Sequence, residues 1–598
     1  MGYSLRPEVA DTDTGAPVGE NRAARFFRRA AALLLVVALS ACNNPGIDEG
    51  TATLELLEAR PARDSDKASP TAPLSMTFNE AIARASLGLG FALRDTAGHD
   101  VAGTFTIDGR TVHFEPELPL RLDQRYEVTI SEAIRGVNGA TLEAAVVWSF
   151  STASATLGVA QKLGRIESHA DGFQMQVAAD YQGRSWTAWL EDTQTFSGQV
   201  KTLQPQAIVV AVQGDDGKTW KRSHRVAAPK VEHGLAIWCL AFERGGDGYL
   251  VWQQRDLGGD DQLLLARFDA KAQAWGEAEA LAHSTTRELS QARCAIDPAQ
   301  GLDVTWLERD VQTPSNNVVT HRRYDLRAHR FSGDGAAVLR SDDKRTVLAV
   351  VALARASGET RVYYATSMLS TVFLRVAILD GDAVRDDTAV SELSPSVEAL
   401  QLATDHSGAT FFVWIESGSR ETTLWALARS SEKEGWSSPQ QIVQRAGTAA
   451  LDRAHIAVAS SGDAFASWHE QGGVFAASYR AETKQWQAPE QLPLIGTGAA
   501  HASAVRPAGA PLLASVEARG SEDVVSLRER PDGSASWSNP RDVSRHPVGT
   551  VSFPASNIAT QPSGEVMLWW TERVRRTIDV GGVTLQYFDL DLWSVSYR

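Results

Sequence analysis

The chain contains little cysteine, a deficit of basic charge and few long apolar runs. Three cysteines in 598 residues exclude a small scaffold held together by several disulfides. The 58 basic side chains are outnumbered by 73 acidic ones, and the net charge of −15 argues against nucleic-acid binding, which needs clustered Lys and Arg. An acidic surface that maintains solubility is the simpler interpretation. Tryptophan, with 17 residues, is in excess.

Motifs of well-known catalytic chemistries are also missing. The sequence has no Gly-x-Ser-x-Gly, no His-Glu-x-x-His and no phosphate-binding loop. Its 13 histidines show no metal-ligand spacing. The sequence therefore predicts no catalytic residue, no metal and no cofactor, and it favours a non-enzyme without deciding the question.

A three-residue pattern recurs from residue 183 onwards. A glycine is followed six residues later by tryptophan and two residues further by glutamate. The clearest copies are Gly183–Trp189–Glu191, Gly408–Trp414–Glu416, Gly462–Trp468–Glu470 and Gly564–Trp570–Glu572. Altered copies are Gly246–Trp252–Gln254, Gly301–Trp306–Glu308, Gly509–Ser515–Glu517 and Gly358–Tyr364. A long period of this kind indicates a solenoid, a propeller or an array.

A second tryptophan series runs in phase with the first. Its members are Trp220, Trp275, Trp436, Trp486 and Trp537, with Phe331 in the Trp place of one copy, and the markers of adjacent repeats lie about 50–56 residues apart. A four-stranded propeller blade takes about 40–50 residues, and segments such as 304–307 alternate in polarity as strands do. The sequence therefore predicts an all-β protein with an eight-bladed β-propeller over residues 153–598, and a seven-bladed one as the alternative.

The third repeat shows the order of the strands within a blade. It predicts strands at Ser290–Ile296, Leu302–Glu308 and Asn317–Tyr324 and a fourth that begins at Phe331. The N-terminal segment Leu157–Leu163 aligns with outermost strands, whereas the C-terminal segment Leu592–Tyr597 aligns with third strands. We therefore expect the N-terminal strand to complete the last blade, which removes the open sheet edges of a broken ring.

Residues 213–220, Gln-Gly-Asp-Asp-Gly-Lys-Thr-Trp, resemble the Asp box of sialidase-like propellers, with Gln213 in place of its Ser. In that family the box is a structural turn. The resemblance also raises the alternative of a glycan-active hydrolase or lyase, which needs paired carboxylates or a tyrosine nucleophile. The family's Arg-Ile-Pro motif is absent. Because an active site needs only one or two carboxylates, we expect the recurring glutamates to be structural: Glu191, Glu308, Glu416, Glu470, Glu517 and Glu572.

The N-terminus has the pattern of an export signal. Four arginines, Arg22, Arg25, Arg28 and Arg29, precede the apolar run Ala30–Leu39, which is too short to span a bilayer. The following Leu39-Ser40-Ala41-Cys42 resembles the lipobox of bacterial lipoproteins. This resemblance implies a signal peptide over residues 1–41, a lipid on Cys42 and a tether over residues 42–51. Asn43 then favours the outer membrane of a Gram-negative host.

Residues 52–152 are predicted to form a separate β-sandwich. Short alternating segments recur along this stretch, among them Met76–Ile82, Val112–Pro116 and Trp148–Thr152. The ordered set resembles the SbsA-type bacterial Ig-like domain, Big_5. The resemblance implies a spacer or adhesive module without catalysis.

The two remaining cysteines occupy equivalent places in neighbouring repeats. Cys239 and Cys294 each lie seven residues before a repeat glycine. Equivalent strands of neighbouring blades are often too far apart for a disulfide, whose Cα atoms must come within about 7 Å. The sequence therefore favours two buried free thiols.

The longest loops between second and third strands are predicted at Asp192–Gln204, Arg309–Asn316 and Arg573–Gly582. Long loops on a rigid scaffold often carry binding sites. Arg573, Arg575 and Arg576 form one of the few basic clusters and suggest an acidic glycan or protein patch as ligand, although a solvated loop explains them more simply.

These features favour a cell-envelope lipoprotein that presents a propeller on an Ig-like stalk as a non-catalytic binding or adhesion module. The expected partners are the membrane, through the lipid, and a glycan or an envelope protein, with no nucleic acid. The alternatives are the glycan-active hydrolase or lyase and a purely structural envelope protein.

Overall fold

The computed structural model describes residues 53–597 apart from short gaps, of which 167–174 and 228–232 are the longest. The predicted signal peptide and Cys42 lie outside the described residues. The described part of the chain contains one helix, and its other regular elements are strands, so the all-β prediction is confirmed. It holds no helix that is both long and apolar enough to cross a membrane.

The N-terminal region is a sandwich of two antiparallel sheets. Its elements are β1 Leu56–Arg60, β2 Leu74–Phe78, α1 Arg84–Gly90, β3 Phe91–Asp95, β4 Gly103–Asp108, β5 Thr111–Pro116, β6 Arg125–Ile130 and β7 Val146–Ser151. The sheet orders are β1-β2-β5-β4 and β3-β6-β7. Alternate residues of β2 (Leu74, Met76, Phe78) and of β6 face inwards and share one core, as period-two patterning requires.

The rest of the described chain forms eight antiparallel sheets, which we number one to eight. Strand β8 is Gln161–Ile166. Sheet one contains β9 Met175–Ala179, β10 Ser185–Ser197, β11 Val200–Gln213 and β12 Trp220–Ala227. Sheet two contains β13 His233–Phe242, β14 Gly248–Arg255, β15 Asp261–Asp269, β16 Ala274–Trp275 and β17 Glu279–Ser284. Sheet three contains β18 Arg287–Asp297, β19 Gly301–Asp310, β20 Asn317–Asp325 and β21 Arg330–Arg340.

Sheet four contains β22 Thr346–Ala356, β23 Glu359–Met368, β24 Thr371–Asp380 and β25 Ala383–Leu393. Sheet five contains β26 Val397–Thr404, β27 Thr410–Ser417, β28 Glu421–Arg429 and β29 Gln440–Ala446. Sheet six contains β30 Leu451–Val458, β31 Ala464–Glu470, β32 Gly473–Arg480, β33 Gln485–Trp486 and β34 Glu490–Gln491.

Sheet seven contains β35 Thr497–Val505, β36 Pro511–Arg519, β37 Glu522–Glu529 and β38 Arg541–Pro547. Sheet eight contains β39 Val551–Ser552, β40 Ile558–Thr560, β41 Val566–Val580 and β42 Val583–Tyr597, together with β8. The four strands predicted for the third repeat are confirmed by β18 to β21, with ends extended by up to three residues.

The sheets follow one another around an axis. The first strands of consecutive sheets contact each other, from β9 and β13 through to β35 and β40, so they form an inner wall. Strand β8 pairs with β42, from Leu590 opposite Ile166 to Ser594 opposite Gln161. The predicted completion of the last sheet by the N-terminal strand is confirmed. The sheets of the described residues match the eight repeats, and the blade number of eight stays a prediction that they support.

The repeat glycines lie in the turns between first and second strands. Those with a positive φ are Gly183, Gly246, Gly408, Gly462, Gly509 and Gly564, with values from 77° to 97°. Each donates its backbone N–H to the carbonyl three residues earlier. Only glycine adopts this left-handed conformation without steric cost, which explains its place in the repeat. Gly358 lies outside the described residues.

Two of the three predicted long loops are wrong, because both regions are strand. In sheet one, β10 and β11 stay paired out to Ser197 opposite Val200. In sheet eight, β41 and β42 stay paired out to Val580 opposite Val583. Continued backbone pairing turns each region into a hairpin that is longer than the second and third strands of the other sheets. We call them the first-sheet hairpin and the eighth-sheet hairpin.

The expectation of two free thiols is also wrong. Cys239 of β13 and Cys294 of β18 form a disulfide, with their Cα atoms 6.1 Å apart. Both strands belong to the inner wall, where the first strands of neighbouring sheets come closest to one another. Equivalent residues of these inner strands therefore come within disulfide range.

The sandwich packs against the turns between first and second strands. Leu122 donates its backbone N–H to the carbonyl of Ser563 at 2.7 Å. Arg506, buried beside the turn of sheet seven, pairs with Asp123 of the sandwich and with Glu529, each at 3.0 Å. Arg244 of sheet two reaches Glu117. The sandwich therefore contacts the side of the ring opposite to the two extended hairpins.

Candidate functional site

The recurring tryptophans and glutamates bond to each other. In sheets three, five and six the indole N–H of the tryptophan donates to the glutamate two residues on. The distances are 3.1 Å for Trp306–Glu308, 3.0 Å for Trp414–Glu416 and 3.4 Å for Trp468–Glu470. Trp252 donates to Gln254 in the same way at 3.4 Å. Residues two apart on a strand share a face, which explains this spacing.

This bond gives the glutamates a structural role. The four tryptophan side chains are at most 2% exposed, and a buried indole N–H without an acceptor is costly. In sheet eight the repeat tryptophan and glutamate have other partners. Trp570 donates to His546 Nε2 at 3.1 Å, and Glu572 accepts from Trp593 at 3.1 Å. In sheets three, five, six and eight the recurring carboxylates are therefore acceptors in separate sheets, whereas in sheet one Trp189 donates to the carbonyl of Arg165 at 2.9 Å.

In sheet four a tyrosine takes the tryptophan position. Tyr364 is buried, and its hydroxyl donates to Asp387, which also accepts from Arg375 Nε at 3.1 Å. Burial first, and then the Asp387 carboxylate, raise the pKa of Tyr364 well above its ordinary value. A tyrosine nucleophile needs the opposite shift or an adjacent base with access to substrate. Tyr364 thus acts as a hydrogen-bond donor, as the tryptophans do.

Sheet seven replaces the tryptophan by Ser515. Glu517 is kept, is fully buried, and accepts from Ser515 Oγ at 2.7 Å, from Arg528 Nη1 at 2.5 Å and from Arg519 Nη2 at 2.8 Å. Arg528 is only 1% exposed. Burial raises the pKa of Glu517, and the bonds from Arg528, Arg519 and Ser515 more than offset it, so the net pKa lies below the ordinary value. The carboxylate is held charged as half of a buried ion pair.

Two histidines face each other between sheets six and seven. The rings of His455 on β30 and His501 on β35 meet edge to face, with centroids 5.2 Å apart. His501 is 3% exposed, and among the described residues neither of its ring nitrogens has a hydrogen-bond partner. Burial, followed by the charges of His455, His469 and Arg453, lowers the pKa of His501 well below its ordinary value. Both rings are therefore neutral at pH 7.

The predicted basic cluster lies on the eighth-sheet hairpin, and the structure divides it between two faces. Arg573 and Arg575 are exposed on one face. The Arg573 guanidinium lies over the ring of Phe588, 3.9 Å from its centroid, and Arg575 bonds to Gln586. Phe588 is itself 47% exposed. This face presents two cations beside an exposed aromatic ring.

Arg576 lies on the other face and has a structural role. It pairs with Asp591 at 3.1 Å and with Asp589 at 3.6 Å. The same two carboxylates also pair with Lys162 and Arg165 of β8. Arg576 therefore helps to hold the strand that completes the sheet, and only Arg573 and Arg575 are available to a ligand.

The exposed face of this hairpin is directed towards sheet one. Trp569 and Leu592 share that face further down the strands, and there they pack with Trp189 of sheet one. The first-sheet hairpin extends in the same direction from the neighbouring strands. The two hairpins thus flank a surface with Arg573, Arg575 and Phe588 on one side. Sequence reasoning found the arginines, but it missed Phe588, whose exposure depends on the strand register.

In residues 53–597, outside the gaps, no three His, Cys, Asp or Glu side chains are grouped so as to hold a metal ion. Asp247, in one of the Asp-Gly turns, accepts from Arg267 Nε at 2.9 Å and from the Ala270 N–H at 2.8 Å. That turn is closed by hydrogen bonds.

Comparison with known proteins identifies one domain. Residues 50–152 match the family model of the bacterial Ig-like domain, Big_5. The Ig-like prediction is confirmed. No curated protein matches the chain.

Solved structures match the chain only at low identity. The Dos1 propeller is 10% identical and covers 74% of this chain and 95% of its own, with a TM-score of 0.42. A mutant NanB sialidase from Streptococcus pneumoniae is 12% identical. The match covers 92% of this chain and 93% of the sialidase chain, with a TM-score of 0.32. A polysaccharide lyase, an ulvan lyase, is 8% identical. The match covers 59% of this chain and 87% of the lyase chain, with a TM-score of 0.34. The propeller architecture rests on the sheets described above.

Proposed function

We propose that the chain is a cell-envelope lipoprotein that presents its propeller as a non-catalytic binding module for acidic glycans. One observation carries the proposal: the Ig-like domain contacts one side of the ring, whereas the two extended hairpins project from the other. The face with Arg573 and Arg575 therefore lies away from the side that the Ig-like domain covers.

The chemistry of this face suits an acidic sugar. Guanidinium groups bind carboxylate and sulfate through paired, charge-assisted hydrogen bonds. Phe588 is an exposed aromatic ring against which an apolar sugar face packs, and Arg573 is already positioned over it. In a chain of net charge −15, two adjacent exposed arginines stand out as an attractive point for an anion.

The test compares binding of the full-length chain to an immobilised uronic-acid polymer and to a neutral glucan. We expect binding to the uronic-acid polymer only, weakening as salt rises, since salt screens charge. The double variant Arg573→Gln/Arg575→Gln should bind at least about 10-fold more weakly. Arg327→Gln removes an exposed arginine between β20 and β21 and serves as the matched control. Equal loss in both variants, or equal binding to the neutral glucan, would refute the proposal.

Catalysis is tested in the same experiment. The bound polymer is recovered and assayed for new reducing ends, which both hydrolysis and elimination produce, and for unsaturated uronates, which only elimination produces. The proposed binding module leaves the polymer unchanged. Either product, made by the purified chain, would establish the alternative of a hydrolase or lyase.

The membrane anchor needs a separate measurement. Replacement Cys42→Ser should move the protein from the membrane fraction to the soluble fraction and abolish incorporation of a labelled fatty acid. Unchanged labelling in that variant would contradict lipidation at Cys42. Fractionation of inner and outer membranes then checks the outer-membrane location that Asn43 favours.

A further inference from the structure

Arg293 lies in the inner wall and contacts both neighbouring sheets. It follows a bulge in β18, the first strand of sheet three. Its Nε donates to the carbonyl of Val351 on β22 at 3.2 Å, and its guanidinium carbon lies 5.9 Å from the ring centroid of Trp238 on β13. Since β13, β18 and β22 are consecutive inner strands, the guanidinium runs along the wall that faces the axis.

The charge of Arg293 is not neutralised by a carboxylate of the described chain. Its contacts there are the backbone carbonyls of Val351 and of Ala292, the latter at 3.0 Å, and the ring of Trp238. Burial lowers the pKa of Arg293, and no acidic neighbour contributes a compensating shift. Partly buried guanidinium groups are ordinarily paired, because desolvating a cation is costly.

A disulfide holds the pair in place. Cys239 directly follows Trp238, and Cys294 directly follows Arg293. Their disulfide links β13 to β18 and so restricts the sliding of one strand against the other. Trp238 is further oriented by donating its indole N–H to Gln253 Oε1 at 3.3 Å. Both the tryptophan and the arginine remain partly exposed.

We propose that Trp238 and Arg293 form an anion-binding site in the inner wall, which takes a carboxylate or sulfate group. Since Nε donates to Val351 and one N–H of Nη1 to Ala292, the second N–H of Nη1 and those of Nη2 supply the donors to the oxyanion. The indole face packs against the apolar part of the molecule that bears it. The Cys239–Cys294 disulfide positions the two side chains. This site is separate from the hairpin surface and stands whether or not that surface binds glycans.

The experiment titrates the full-length chain with inorganic sulfate at constant ionic strength and follows tryptophan emission. The emission change of the Trp238→Phe variant is subtracted from that of the wild-type protein. The remainder is the contribution of Trp238, separate from that of the other tryptophans. We expect a saturable change that Arg293→Gln weakens at least about 10-fold and that Arg327→Gln leaves intact. The double variant Cys239→Ser/Cys294→Ser lacks the disulfide and should weaken sulfate binding by a smaller factor than Arg293→Gln does.

One further variant and two further ligands complete the experiment. Arg293→Lys retains the charge but loses the fork of two donors, so we expect intermediate binding, which also covers the case in which Arg293→Gln fails to fold. Glucuronic acid and glucose distinguish a free oxyanion from an acidic sugar: tighter binding of glucuronic acid than of sulfate indicates the sugar. A sulfate response that is unchanged in Arg293→Gln and Arg293→Lys, or is absent from the wild-type protein, overturns the proposal.

Discussion

Sheet six meets its two neighbours in different ways. Towards sheet five it packs Trp468, fully buried among apolar side chains such as Val413, Ile415 and Leu424. Towards sheet seven it meets the position where Ser515 replaces the repeat tryptophan, and polar groups fill the space. One interface is thus mainly apolar, and the next contains a buried ion pair.

The difference shows which part of the repeat is needed. Glu517 is retained in sheet seven although its tryptophan partner is gone, and the donor is now Ser515 together with Arg528. A buried carboxylate must have donors, and a buried indole must have an acceptor. What the repeat preserves is a donor and an acceptor two residues apart on the second strand that satisfy each other, whereas the large apolar volume is dispensable at that one interface.

The largest expected effect is at the apolar interface. Trp468→Ala removes a fully buried ring and leaves Glu470 without its indole donor, so we expect a loss of about 4 kcal/mol in the free energy of unfolding. Urea denaturation measures it. Phe588→Ala, at a 47% exposed ring, is the control and should change stability by less than about 1 kcal/mol. A loss at Trp468 no larger than the control's would contradict the structural role of the repeat.

At the polar interface the expected effect comes from an uncompensated charge. Arg528→Met leaves Glu517 buried without its main partner and should cost about 3 kcal/mol, somewhat less than the full penalty because Arg519 still reaches the carboxylate at 2.8 Å. Adding Glu517→Leu to Arg528→Met removes the unpaired charge, and we expect the double variant to recover most of the loss. If the double variant is as unstable as the sum of both single variants, the two residues do not act as a pair.

Acid should weaken the polar interface before the apolar one. The pKa values of His455 and His501 are lowered by burial, so the unfolded chain binds more protons than the folded one near their ordinary value of 6.5. The contribution of these two neutral rings to the free energy of unfolding is complete above pH 6.5 and decreases as the pH falls below that value. His469 and Arg453 add positive charge nearby and act in the same direction.

The measurement is the melting temperature between pH 7.5 and 5, above the range in which most carboxylates titrate. We expect it to fall in the wild-type protein and to stay flatter in His455→Gln/His501→Gln. Identical slopes would show that the two rings do not link folding to pH. The matched comparison is His329→Gln, at an exposed histidine, which should keep the wild-type slope.

Much of this architecture is readable from the sequence, because local physics sets it. In six first turns a positive φ requires the repeat glycine, and the alternation around Trp306 is a strand pattern that does not depend on distant contacts. The completion of sheet eight by an N-terminal strand followed from the same alignment of repeats, although the strand is Gln161–Ile166 rather than the predicted Leu157–Leu163. These features recur, and recurrence makes them recognisable.

The parts that were missed depend on geometry between repeats. The Cys239–Cys294 disulfide requires knowing that inner strands converge to 6.1 Å, and the position of Arg293 depends on a bulge that shifts its strand by one residue. Arg573 and Arg576 are close in sequence but lie on opposite faces, because the predicted loop is a paired hairpin. Strand register and the distance of a strand from the propeller axis are tertiary properties, and the spacing of the sequence repeat does not determine them.

The smallest expected effect tests whether the acceptor's charge matters. Glu308 Oε1 accepts from Trp306 at 3.1 Å and from Thr320 at 2.8 Å, and sheet two uses Gln254 at the same place. Glu308→Gln keeps an oxygen for the indole and should change the free energy of unfolding by less than about 0.5 kcal/mol. Glu308→Leu leaves the buried N–H unpaired and should cost about 1–2 kcal/mol. Equal losses would mean that the charge of the Glu308 carboxylate, rather than its hydrogen bond to the indole, accounts for the stabilisation at this position.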